Sequence, residues 1–187
     1  MKLANPAPLG LFGFALTTWI LSLINSGLIP GGSMGVVLAL AFAFGGTAQF
    51  FAGLMEMVKG NTFGFVAFCS YGAFWWSFAL LIQFFVGGIP GPAAGAALGW
   101  YLVVWGVFSC VLLVASFALN RVLQLIFIAI VPTFFLLAGG FLFANPTLTV
   151  IGGYGGLITA AFAFYLGAAD VINEVYGRTV LPIGAKA

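Results

Sequence analysis

Acid–base and nucleophilic chemistry would have to come from very few side chains in this sequence. It holds three carboxylates (Glu56, Asp170 and Glu174), two thiols (Cys69 and Cys110) and no histidine. Without imidazole there is no histidine-ligated haem or zinc site, and no histidine base or proton shuttle. Each cysteine sits inside an apolar run, where a free thiol behaves as a small buried hydrophobe. A bridge between the two is the alternative reading. No glycine-rich phosphate loop, Ser–His or Cys–His pair or mid-run pair of carboxylates is present. An active site needs at least one such grouping, so neither a catalytic centre, a metal site nor a cofactor is expected.

What the chain does offer is uncharged polarity at helical spacing. Phe14, Thr17, Thr18, Leu21 and Asn25 share one helix face, and Gly46, Gln49, Gly53 and Glu56 recur at steps of three and four on another. Gln124 and Thr133, then Thr159, follow in later runs. Serine, threonine and glycine are ordinary packing residues between membrane helices, and Gly60/Gly64 and Gly152/Gly156 have the plain small-xxx-small spacing. The amides of Asn25, Gln49 and Gln124 need a partner or water at membrane depth. Each either bonds across a helix contact or lines a pathway.

The elements that carry these residues follow from composition. Of 187 residues, 64% are hydrophobic and 4% charged, with a mean hydropathy of +1.25. Soluble domains carry about a quarter charged residues, and a chain this short cannot bury so much apolar surface in one core. At roughly 20 apolar residues per crossing, the sequence is a single six-helix membrane domain over residues 1–187. The predicted spans are 9–29, 33–57, 62–86, 96–119, 122–143 and 148–176, separated by Pro, Gly and Asn clusters, with Pro132 as a kink in the fifth. Continuously apolar runs mean helices, since barrel strands alternate. The first span is too long for a cleavable signal and lacks a basic lead, so it reads as a retained helix. The cations are too few and scattered for nucleic acid.

Lys2, Lys59, Arg121, Arg178 and Lys186 all fall on one side of this six-span topology, and the opposite turns near 30, 90 and 146 carry no charge. Both termini are therefore expected in the cytoplasm. Glu56, Asp170 and Glu174, with Asn173, lie at the same helix ends, read as interfacial carboxylates paired with Lys59, Arg121 or Arg178. With no carboxylate at the bilayer centre, the pathway is either a passive channel or one whose substrate brings its own proton. A three-plus-three inverted repeat has thin support in the echo of Pro6–Gly10 by Pro90–Gly95.

The segment Asn5-Pro6-Ala7-Pro8-Leu9-Gly10-Leu11, leading into Gly13-Phe14, resembles the signature of the acetate uptake transporter family of succinate–acetate permeases. The likeness continues at Ala48-Gln49, Phe51-Ala52-Gly53-Leu54, Lys59-Gly60-Asn61-Thr62-Phe63-Gly64 and Ser70-Tyr71-Gly72. It closes with Trp105-Gly106-Val107-Phe108, Arg121-Val122-Leu123-Gln124 and the run from Asn173-Glu174 to Gly184. These blocks cover nearly the whole chain, in order.

The resemblance implies a six-helix protomer with a central pathway, a homo-hexamer in the inner membrane, and passage of acetate and, in some members, succinate. It places a narrow hydrophobic constriction at Phe14 and Tyr71, with a third position on Ile130 where the family has leucine. Thr17, Thr18, Asn25, Gln49 and Gln124 would line the pathway or touch substrate beside that ring, because a carboxylate shedding water needs donors. A pore for a small neutral solute such as urea or acetamide and a non-transporting hexameric scaffold are the competing readings. Membrane lipid is the other expected partner.

Overall fold

The computed structural model describes residues 3–184, which form six helices long and apolar enough to span a bilayer. They are α1 (Ala7–Asn25), α2 (Gly31–Val58), α3 (Thr62–Gly88), α4 (Gly91–Ser116), α5 (Arg121–Leu142) and α6 (Pro146–Tyr176). Lys2 and Lys186, used above for orientation, lie outside the described residues.

Helix ends depart from the expected spans where local chemistry intervenes. α1 stops at Asn25, four residues early: Gly27 takes φ +76°, and the Leu28 amide returns to the Leu23 carbonyl at 2.9 Å. That is the glycine-terminated cap in which a left-handed residue satisfies orphan carbonyls. α4 ends at Ser116 and tightens through three-residue turns, the last from the Leu119 amide to Ser116 O at 2.9 Å. α5 runs unbroken through Pro132. Gly60, read as half of a packing pair, has φ +75° and makes the α2–α3 turn instead.

Three helices start on an asparagine whose side chain takes up free amides, the arrangement that stabilises a helix N-terminus. Asn61 accepts from the Gly64 amide (3.1 Å), Asn120 from Leu123 (2.9 Å), and Asn145 from Thr147 (3.0 Å) and Leu148 (3.3 Å). Asn145→Ala is expected to destabilise the protein by about 1 kcal/mol. The readout is thermal unfolding in detergent, and a midpoint equal to wild type would mean that water replaces the cap.

α2 and α3 each widen into a π-helical stretch, Ala41–Ala48 and Leu81–Phe85. A wide turn loosens the regular ladder, and side chains take up the slack. The Phe42 carbonyl accepts from Thr47 Oγ1 (2.6 Å) and from Trp76 Nε1 of α3 (3.4 Å).

The helices follow one another round a ring: α1 packs on α2 and α6, α2 on α3, α4 on α5, and α5 on α6. Small residues set the closest approaches. A side chain at Gly153 of α6 would run into the Asn25–Ser26 backbone at the end of α1, and one at Gly53 of α2 would meet Cys69 of α3. The α3–α4 side is closed by rings: Tyr71 lies 6.3 Å from Trp105 and 5.8 Å from Phe108, and Phe74 lies 5.7 Å from Tyr101. After α6 the chain turns at Gly177 (φ +62°) and folds back. Asn173 holds this return by accepting from the Val180 and Leu181 amides (2.7 and 2.9 Å) and donating to Leu181 O (2.8 Å). Both cysteines are free.

Candidate functional site: two vestibules and an aromatic neck

Two cavities lie within the ring. The larger, of about 240 Å³, is reached at the charged-turn end, where Asn61, Asn120 and Asp170 stand on its wall. The smaller, of about 110 Å³, lies toward the uncharged turns and is lined in part by Thr18, Asn25 and Trp75. Phe14 and Ile130 line both, and Tyr71 lines the larger. The Phe14 and Tyr71 rings are 5.5 Å apart at 50°, and Phe14, Tyr71 and Ile130 are all buried.

Tyr71 is held from behind. Its hydroxyl and Ser109 Oγ are 2.7 Å apart, and Ser109 in turn donates to the Trp105 carbonyl at 2.7 Å. Trp105, Phe108 and Phe127 surround the same ring at 5.8 to 6.5 Å. Tyr71 thus lines the larger cavity while its polar atom is spent on α4.

Each cavity holds a buried polar atom with no partner among the described residues: Gln49 Oε1 at the larger and Thr18 Oγ1 at the smaller. Burying such a group unpaired costs free energy, which water or a polar solute in the cavity would relieve. Asn25 also lines the smaller cavity. Thr17 and Gln124, expected on the pathway, are on neither cavity wall. The Thr17 hydroxyl bonds Gly13 O (2.8 Å) and its side chain abuts Gly45 of α2, while Gln124 Nε2 donates to Leu119 O (3.1 Å).

The carboxylates separate into three situations. Glu56 is wholly buried, accepts from Asn61 Nδ2 at 2.7 Å and lies 3.7 Å from Lys59 Nζ, which also donates to Asn5 Oδ1 at 3.0 Å. Here the expected ion pair forms, and it ties the α2–α3 turn to the start of α1. Glu174 is exposed, and the neighbouring Asn173 serves the tail. Asp170 has no ion pair or hydrogen bond among the described residues and lies on the wall of the larger cavity.

Trp75 is a cavity residue that no sequence pattern marks. It lines the smaller cavity, is 2% exposed, and its indole Nε1 has no acceptor among the described residues. The only signal was a tryptophan one position past the Tyr71–Phe74 stripe, which reads equally well as core.

Six membrane-length helices around two cavities that share Phe14 and Ile130 define a multi-pass helical membrane protein of the transport class. The chain belongs to the GPR1/FUN34/yaaH family, whose model matches residues 1–183. It is 45% identical over 183 residues to the succinate-acetate/proton symporter SatP of Escherichia coli K12, covering 98% of this chain and 96% of that one. An uncharacterized protein of Methanothermobacter thermautotrophicus is 48% identical over 193 residues, covering 97% and 91%. The solved structure of the bacterial acetate channel SatP matches with a TM-score of 0.92 at 45% identity, over 98% of this chain and 100% of that one.

Proposed function

We propose that this chain forms a pathway for acetate and similar small monocarboxylates, with Phe14, Tyr71 and Ile130 as its constriction. The observation that carries the reading is the pair of cavities meeting on Phe14 and Ile130, each with an unpartnered buried polar group beside the meeting point. An apolar ring between polar vestibules excludes bulk water and still passes a small solute that sheds part of its shell. Acetate suits it: the methyl group passes Phe14 and Ile130, while the Thr18 hydroxyl, Asn25 and Nε2 of Gln49 offer donors to the carboxylate before and after the neck, and the unpartnered Gln49 Oε1 is left to accept from water. Kinship with a succinate-acetate/proton symporter and an acetate channel supports the same substrate class. We assign Thr17 and Gln124 to helix packing, and Glu56 and Asn173 to holding the charged end.

The assembly is read as a homo-hexamer in lipid, with both termini in the cytoplasm. Lys59, Arg121 and Arg178 support that orientation, since the uncharged turns lie at the other end.

Labelled-acetate uptake into proteoliposomes at clamped membrane potential, corrected with empty liposomes, tests the function. Flux that scales with potential means that the anion permeates through a channel. Saturable flux driven by a pH gradient and indifferent to potential means proton-linked carriage. Faster passage of urea or acetamide than of acetate would favour the neutral-solute pore, and no flux above empty liposomes would leave a scaffold. In the same assay Gln49→Leu is expected to lower acetate flux about tenfold, the worth of one lost hydrogen bond to a charged group. Wild-type flux in that variant would remove Gln49 from the pathway.

A further inference from the structure

We propose that Asp170 is the charge gate of the larger cavity: ionised, it bars a carboxylate anion from that vestibule, and protonated, it admits one. The inference rests on the pathway proposed above.

Three helices frame this carboxylate. α6 runs toward the charged end, so Leu166 stands on the cavity wall and Asp170 follows one helical turn farther out on the same wall. Sharing that wall are Asn61 and Asn120, at the starts of α3 and α5. An anion leaving or reaching the neck through this vestibule passes a carboxylate rimmed otherwise by amides and apolar side chains.

The charges around it do not pair with it. Among the described residues, the groups in electrostatic reach are Lys59, Glu174 and Glu56. Lys59 is committed to Glu56 and Asn5, Glu174 faces solvent one turn farther along α6, and Glu56 is closed over by Asn61. α1, packed along α6, carries no ionisable side chain between residues 7 and 25. On α5 the one charge, Arg121, lies against the returning tail at Gly184. Arg178 on that tail is exposed. Asp170 therefore meets the pathway with no ion pair among the described residues, on the wall of a cavity lined mostly by apolar side chains, where a like charge is repelled more strongly than in bulk water.

The proton accounting is simple. Water at the charged end gives a proton to an Asp170 carboxylate oxygen, and the neutral carboxyl can then donate a hydrogen bond to a passing carboxylate. When the anion has moved on, the proton returns to water at the same end. No proton crosses the neck.

The test is labelled-acetate exchange in proteoliposomes at equal pH on both sides, stepped from about pH 5 to about pH 8. Formate, which stays ionised over the range, is run beside acetate so that substrate protonation is separated from gating. Wild type is expected to lose roughly tenfold of its formate flux across the range. Asp170→Asn and Asp170→Ser are expected to give flux that is flat with pH and near the wild-type acid maximum. Asp170→Glu restores the slope, and Glu174→Gln, which removes a neighbouring charge away from the cavity wall, retains it. Either neutral variant that inserts is sufficient. A wild-type formate flux that is flat with pH, or a slope that persists in the neutral variants, overturns the gate while leaving the acetate pathway standing. Absence of wild-type flux overturns both.

Discussion

Tyr71→Ala is expected to raise acetate flux on the order of tenfold, a barrier change of about 1.4 kcal/mol, and to relax exclusion of larger carboxylates such as succinate. The reason is geometric. The Tyr71 ring sits 5.5 Å from Phe14 on the wall of the larger cavity, and in the proposed pathway it closes that cavity toward the smaller. Removing it joins the two spaces past Ile130. The supports behind it survive the change, because Ser109 still donates to the Trp105 carbonyl and α4 keeps its place. The competing outcome is collapse of Phe127 or Trp105 into the space, which would leave the neck shut. Paired uptake of labelled acetate and labelled succinate decides between them. An unchanged succinate-to-acetate ratio with unchanged acetate flux would show that the ring is packing and that the neck lies elsewhere.

Gly153→Val is expected to cost on the order of 3 kcal/mol and to remove most folded protein. A Cβ there would meet the Ser26 amide nitrogen, the Asn25 carbonyl carbon at 2.6 Å and Ser26 Cα at 2.7 Å. These are backbone atoms at the end of a helix and cannot swing aside as a side-chain tip could. The α1–α6 contact must part, and with it the wall that joins Phe14 to Leu166. Gly87→Ala is the matched control, since a Cβ at Gly87 has nothing within 4 Å. Thermal unfolding in detergent should separate the pair clearly, and equal midpoints would mean that α1 and α6 can slide apart at little cost.

The membrane spans were legible because the signal is coarse: long apolar runs broken by asparagine, proline and glycine. The structure keeps all six and moves the ends by a few residues, where a left-handed glycine after α1 or a tightened turn after α4 decides. The site was legible only in part. Thr17 and Thr18 are adjacent in sequence, and successive helical residues point about 100° apart. One faces the cavity, and the other is buried against α2. Helical spacing alone could not choose between them without the neighbour's position. Asp170 was correctly placed at the charged end, but its seat on the cavity wall depends on ring closure, which brings α6 beside the starts of α3 and α5. No pattern within α6 encodes that. Trp75 was hidden for the opposite reason: an aromatic among aromatics carries no sign of whether its one donor has a partner.

The widened stretch of α2 has a consequence for how this chain tolerates length changes. A wide turn behaves as an extra residue accommodated inside a helix, so the two halves of α2 are phased independently. Deleting one residue between Ala41 and Ala48 would let the helix revert to regular winding without shortening its apolar span appreciably. Gln49 would keep its place on the cavity wall, and Glu56 its place beside Asn61. The same deletion in the regular stretch that follows, residues 50–55, would turn everything beyond it by about 100° and take Glu56 away from Asn61. Both deletions are silent to hydropathy and to membrane insertion, yet only the second rewrites which side chains meet.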